Sequence, residues 1–150
     1  MRPRQAAMAA TLLLAPLLGA PAGASAAVPC SKAAIAKLVK HDRFETITTV
    51  LCSDLDANGT RDAAWTLDSG GSGGDIAWGI VYERGGKRHV ATFKGHTHYL
   101  KPRIEGRRLL IDSPIYKPAD ANCCPTGGTR TESATWNGRR FVKRLVSVRH

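Results

Sequence analysis

No stretch of this chain is apolar for long enough to form a bilayer-spanning helix, which needs roughly 20 consecutive apolar residues. The densest run, around Leu12 to Leu14 and Leu17 to Leu18, is interrupted by Pro16, Gly19, Pro21 and Gly23. The glycine-rich stretch Ser69-Gly-Gly-Ser-Gly-Gly74 lacks the Lys-Ser/Thr ending of a phosphate-binding loop and leads into strand-like sequence. Ser72 lies inside that bare glycine run, so it makes no strand-to-helix nucleophile elbow. Internal repeats, linkers and a low-complexity tail are also missing. What these absences argue against is therefore a membrane-spanning helix, a P-loop nucleotide enzyme and a repeat array.

What is present at the N-terminus is a pair of arginines, Arg2 and Arg4, then the short apolar run, then the small residues Ala24-Ser-Ala26. This is the pattern of a secretory signal peptide spanning 1–26, followed by a single domain over 27–150. Cys30 follows closely, but Val28-Pro29 stand where a lipobox wants small residues, so free secretion is expected over lipid anchoring. Setting Arg2 and Arg4 aside lowers the formal charge from +10 to +8. The excess is scattered in sequence through Lys87-Arg88, Arg103, Arg107-Arg108 and Arg139 to Arg144, with no aromatic-basic platform of the kind single-strand binders use. The expectation is a solvated basic surface on a monomer. An acidic envelope polymer or anionic surface is a partner of the right sign, whereas nucleic acid is not expected outside the cell.

Four cysteines in an exported domain imply disulfides. Two pairings stand side by side: Cys30 and Cys52 each to one of Cys123 and Cys124, or Cys30 to Cys52 with a vicinal bond or two free thiols. Sequence separation does not choose between them. A catalytic thiol would need a thiolate kept reduced outside the cell and a partner base.

From Ser31, apolar Ala34, Ile35, Leu38 and Val39 recur at spacings of three and four, which predicts a short Ser31-capped helix ending near His41-Asp42. Phe44 to Leu51 is rich in β-branched residues and predicts a strand, as does Ala63 to Leu67. The remainder predicts hairpins about Gly85-Gly86, Glu105-Gly106 and Asn137-Gly138, the last as a two-residue type I′ turn. The expected fold class is α+β, mostly β: an antiparallel meander of about eight strands, open or barrel-like, with one N-terminal helix packed on a face. Trp65, Trp78, Phe93, Trp136 and Phe141 are its core aromatics.

The chain's most specific chemical pattern lies between the first two strands. Asp54, Asp56, Asn58 and Asp62 occupy positions 1, 3, 5 and 9 of a calcium-loop pattern, with Gly59 at position 6 to turn the backbone and the Thr60 carbonyl at position 7. Ca²⁺ wants several hard oxygens, and this spacing supplies them. Position 12, however, is Trp65 rather than a bidentate Glu, which brings the pattern closer to short Asp-rich loops between strands. The competing reading is an Asx-rich turn whose carboxylates bind backbone amides.

Other constellations are thinner. His96 and His98 share a strand face but lack a third metal ligand. Asp68, Asp75, Glu83, Asp112, Asp120 and Glu132 supply carboxylates without a spacing that nominates a glycosidase pair. The expectation is accordingly a secreted or cell-envelope binding or structural module, stabilised by Ca²⁺, and not an enzyme. A hydrolase acting on an envelope polymer is the alternative.

Taken together, Cys52-x-Asp-Leu-x-x-x-Gly-x-x-Asp62, the Ser69 to Gly74 turn, Pro114-Ile-Tyr116, Asp120-Ala-Asn-Cys-Cys-Pro-Thr-Gly127 and Trp136-Asn-Gly138 resemble the actinobacterial LppP/LprE-type secreted or lipoprotein family. The resemblance covers roughly Cys30 to Val146. It implies an envelope setting and carries no established activity or catalytic residues.

Overall fold

A computed structural model describes residues 27–95 and 98–150; the expected signal peptide 1–26 and His96 of the histidine pair lie outside the described residues. One short helix, α1 (Lys32–Ala36), precedes eight strands: β1 (Thr46–Ser53), β2 (Asp62–Asp68), β3 (Asp75–Arg84), β4 (Lys87–Lys94), β5 (Lys101–Glu105), β6 (Arg108–Pro114), β7 (Thr129–Trp136) and β8 (Phe141–Arg149). Within each sheet consecutive strands pair antiparallel, but the meander breaks between β4 and β5 into two open four-stranded sheets, β1-β2-β3-β4 and β5-β6-β7-β8. The barrel alternative is not realised.

Burial explains the layering. Ala64, Trp78, Ile80 and Tyr82 of the first sheet pack with Leu109, Ile111, Ala134 and Phe141 of the second, forming the core between the sheets. On its other face the first sheet presents Ala63, Trp65, Leu67 and Val81 to Val28, Ile35 and Val39. The N-terminal segment and α1 thus make a third layer. Because β2 is covered on both sides, it reads as a nearly continuous buried run and loses the in-out alternation of a solvated sheet. Trp65, Trp78 and Phe141 are buried, while Phe93 and Trp136 are partly exposed at the margin of the core.

The helix stops at Ala36, short of the expected end, with Lys37 as its C-cap, although the Val39 N–H still donates to the Ile35 carbonyl at 3.0 Å. A helix of five residues has no standing alone in water. It persists because Ser31 caps it at 3.3 Å, Ile35 and Val39 are buried on the sheet, and Cys30 is joined to Cys52 of β1. That bond spans 22 residues of sequence, worth about 3 kcal/mol on the chain-entropy view. The other pair is vicinal, Cys123 to Cys124, so the long-range alternative is not the one adopted. Thiol titration of denatured, unreduced, exported protein is expected to find no free cysteine. Two reactive thiols per chain would open the vicinal pair.

Two turns show how local chemistry sets register. Gly85 and Gly86 have φ of 61° and 74° and join the paired residues Arg84 and Lys87, a two-residue turn that few other dipeptides accept. At Asn137-Gly138 the expected two-residue turn is replaced by a four-residue loop between the paired Trp136 and Phe141. Here the Asn137 carboxamide oxygen accepts the N–H groups of Arg139 (3.0 Å) and Arg140 (2.9 Å), so its side chain makes the turn that its backbone was expected to make.

Candidate metal centre

The acidic loop joins β1 to β2, and its position is fixed from within by Leu55, which is only 1% exposed and sits in the core between the sheets. An apolar anchor at the second position holds the flanking carboxylates together at the end of the sandwich. Asp62, the first residue of β2, is completely buried. Its Oδ2 accepts the backbone N–H of Leu55 at 2.8 Å and of Asp56 at 3.2 Å. Its Oδ1 is buried and has no hydrogen-bond partner among the described residues. A buried polar atom left without a partner costs free energy, on the order of 1–3 kcal/mol, and calls for an explanation.

Asp54 and Asp56 complete a cluster with Asp62 in which one carboxylate oxygen from each lies within 4.8 Å of the others. Oxygens bound to a single Ca²⁺ at 2.3–2.6 Å can be at most about 5 Å apart, so the observed spread fits one ion. Asp54 accepts the N–H groups of Asn58 and Gly59, both at 3.2 Å, and Asp56 accepts that of Asn58 at 3.1 Å. Gly59 at φ 83° and Ala57 at φ 67° supply the bends, the second without the licence of a glycine.

Electrostatics follow from this packing. Burial pushes the Asp62 carboxyl up to about 7, repulsion from Asp56 and Asp54 adds to the rise, and the two backbone N–H bonds only partly oppose it. Asp56 is also raised, first by burial and then by Asp54. Three carboxylates thus share a pocket that resists carrying three charges, and a divalent cation would relieve each of them.

The remaining expected ligands are placed differently. The Asn58 side-chain oxygen accepts from the Thr60 N–H (2.7 Å) and hydroxyl (2.5 Å), while its Nδ2 donates to Asp56 (3.1 Å) and to the Glu83 carbonyl (3.0 Å). Asn58 therefore braces the loop against β3, with Thr60 bonded to its side-chain oxygen, and the three aspartates form the acidic centre. Neither the burial of Asp62 nor the Glu83 brace has a signature in the spacing of the acids. Leu55 does, as the one large apolar side chain within the acidic run.

The other sequence candidates serve the fold. Asp68 accepts the Gly70 N–H at 2.7 Å, Asp75 accepts the Thr48 hydroxyl, and Glu83 accepts the Gly86 N–H at 2.7 Å. Asp112 binds Arg103 and Thr131, and Glu132 pairs with Arg130 and Lys143. Asp120 organises the loop carrying Cys123 and Cys124 by accepting the N–H groups of Lys117 (2.7 Å) and Thr126 (2.8 Å), which hold its carboxyl below the usual range. In the Ser69 to Gly74 turn, close packing demands glycine at two positions: a Cβ on Gly70 would meet the Phe44 carbonyl and one on Gly74 the Tyr99 ring. Among the described residues no helix is long and apolar enough to cross a membrane.

Comparison with protein-family models, with curated proteins and with solved structures finds no match to this chain.

Proposed function

We propose that this protein is an exported binding module of the cell envelope whose β1–β2 corner is ordered by one Ca²⁺ held by Asp54, Asp56 and Asp62. The observation that carries the reading is Asp62 Oδ1, a fully buried carboxylate oxygen without a partner among the described residues, beside two further carboxylates at ligand spacing. An Asx-rich turn accounts for the amides that Asp54 and Asp56 accept, but it leaves that oxygen unexplained. Asn58 and the Thr60 carbonyl join the ligand set if the Asn58–Thr60 contact opens on binding. The N-terminal signal pattern and the cysteines support export, where calcium is plentiful, and the resemblance to the LppP/LprE-type family supports an envelope setting.

With three carboxylates and no bidentate glutamate, affinity falls in the weak extracellular range of about 10⁻⁴ to 10⁻³ M. Titration calorimetry of the mature chain with CaCl₂ is expected to show one site per chain. An ion bound only by the folded state stabilises it by about 2.7 kcal/mol at 100 times the dissociation constant. Asp56→Ala should abolish both the heat and the stabilisation. If wild type and Asp56→Ala melt alike and neither responds to millimolar calcium, the loop is an Asx-rich turn and no more.

A further inference from the structure

Arginines that are far apart in sequence converge at the end of the sandwich that carries the acidic loop. Arg84 closes β3, Arg107 and Arg108 lie at the β5–β6 turn, and Arg139 lies in the β7–β8 loop; all four are exposed. The Arg84 guanidinium carbon is 5.8 Å from the centre of the Trp136 ring, and its Nη1 donates to the Arg139 carbonyl at 2.7 Å. Arg107 and Arg108 share a cleft of about 300 Å³ with Asp56, Ala57 and Trp136. Arg84 shares a second, of about 360 Å³, with Asp56, Ala57, Asn58 and the same Trp136. The two clefts therefore meet between the acidic loop and Trp136.

These arginines form no ion pair among the described residues, whereas Arg103, Arg130 and Lys143 each have a carboxylate within reach. Unpaired guanidinium groups gathered at one end repel one another and raise the local potential, and their planar forks suit carboxylate or phosphate oxygens. Trp136 holds Arg84 in place from below by the attraction of a cation to a ring face. It also packs edge-on against Tyr82 and at a tilt against Phe141, so it is part of the wall and not a free platform for stacked bases. The clefts alternate in sign, with Asp56 and Glu83 beside the arginines. A ligand that fits such a lining carries acid groups at intervals with hydroxyl donors between them.

We propose that this double cleft binds an anionic polysaccharide, its acid groups meeting Arg107 and Arg108 on one side and Arg84, held by the Arg139 carbonyl, on the other. The cation of the Asp54–Asp62 loop, standing between the two clefts, strengthens the binding; that clause rests on the proposed function, whereas the arginine cleft does not. The basic residues that look scattered in sequence are thus gathered by three hairpins into one site.

The test is calorimetry of the full mature chain with a galacturonate trimer, short enough not to associate through calcium, in CaCl₂ and in chelator, with a neutral glucan trimer and a short single-stranded DNA as comparisons. The trimer should bind and the neutral sugar should not. Arg107→Ala with Arg108→Ala should weaken binding by about tenfold or more, while Lys32→Ala with Lys40→Ala, which removes equal charge elsewhere, should change it less than about twofold. Absence of binding, equal losses in the two double variants, or tighter binding of DNA would each overturn the assignment. If the trimer binds through the arginines without regard to calcium, and calcium alone gives no heat, the cleft stands and the cation reading falls. If calcium binds and the trimer does not, the cleft alone falls.

Discussion

In chelator at pH 8, Asp62→Asn is expected to melt no lower than the wild-type protein, and Asp62→Ala to melt well below both. The asparagine keeps an oxygen for the Leu55 and Asp56 N–H groups while removing a charge that is fully buried and repelled by Asp56 and Asp54. The alanine leaves two buried N–H donors without an acceptor, at about 1–3 kcal/mol each, offset in part by loss of the charge. Calcium should reverse the order: wild type rises with added CaCl₂ and neither variant does. The pH dependence has a definite sign. The folded carboxyl, at about 7, holds its proton more tightly than the unfolded one near 3.8, so its contribution favours folding below the lower value and is lost as pH rises through the upper. A gap of that width corresponds to at most about 4 kcal/mol. Scanning calorimetry from pH 4 to pH 8 should therefore show wild type losing stability relative to Asp62→Asn in chelator, with calcium flattening the difference. An Asp62→Asn protein that melts far below wild type in chelator at pH 8 would mean that the charge stabilises the fold without an ion.

Much of this architecture was legible because it is local. The hairpin of β3 and β4 follows from strand-like segments flanking Gly85-Gly86, and α1 from a Ser31 cap and apolar residues recurring at spacings of three and four. The division into two sheets was not legible, since no local pattern marks where the meander changes layer; it follows from the packing of Ile80 and Tyr82 on Leu109 and Ile111. Cysteine pairing failed to emerge for a related reason: spacing along the chain does not give the Cα separation, 6.1 Å between Cys30 and Cys52, on which a bond depends. In the acidic loop the number and spacing of oxygens were readable, while the burial of Asp62 depends on the loop folding back so that Leu55 enters the core and the Leu55 and Asp56 N–H groups reach the carboxylate. The gathering of Arg84, Arg107, Arg108 and Arg139 depends on three hairpin ends lying together, which no single window of sequence contains.

The largest loss of stability is expected far from any charge, at Gly79→Ala. Gly79 faces Trp65 across the β2–β3 ladder, and a Cβ built on it would stand 2.1 Å from the Ala91 carbonyl oxygen and 2.5 Å from the Trp65 ring. Its φ is not in the left-handed region, so the demand for glycine is steric. The first obstacle is backbone of β4 and cannot swing aside as a side chain would; the second is an indole that is 1% exposed beneath the N-terminal layer. Overpacking of a tight core costs typically 1–3 kcal/mol, and a clash with backbone in a central strand exceeds that, approaching the 5–15 kcal/mol that holds a whole domain. Near-ultraviolet dichroism and thermal melting should show Gly79→Ala without fixed tertiary packing at 37 °C, whereas Gly79→Ala with Trp65→Phe should recover only the part owed to the ring. Gly138→Ala is the contrast: nothing lies within 4 Å of its Cβ, and its φ of 88° costs only about 1 kcal/mol. A Gly79→Ala protein that melts within a few degrees of wild type would show that β4 can move away from β3. If β4 holds, displaced Trp65 lifts β2 three residues beyond Asp62, and the calcium response should disappear with the packing.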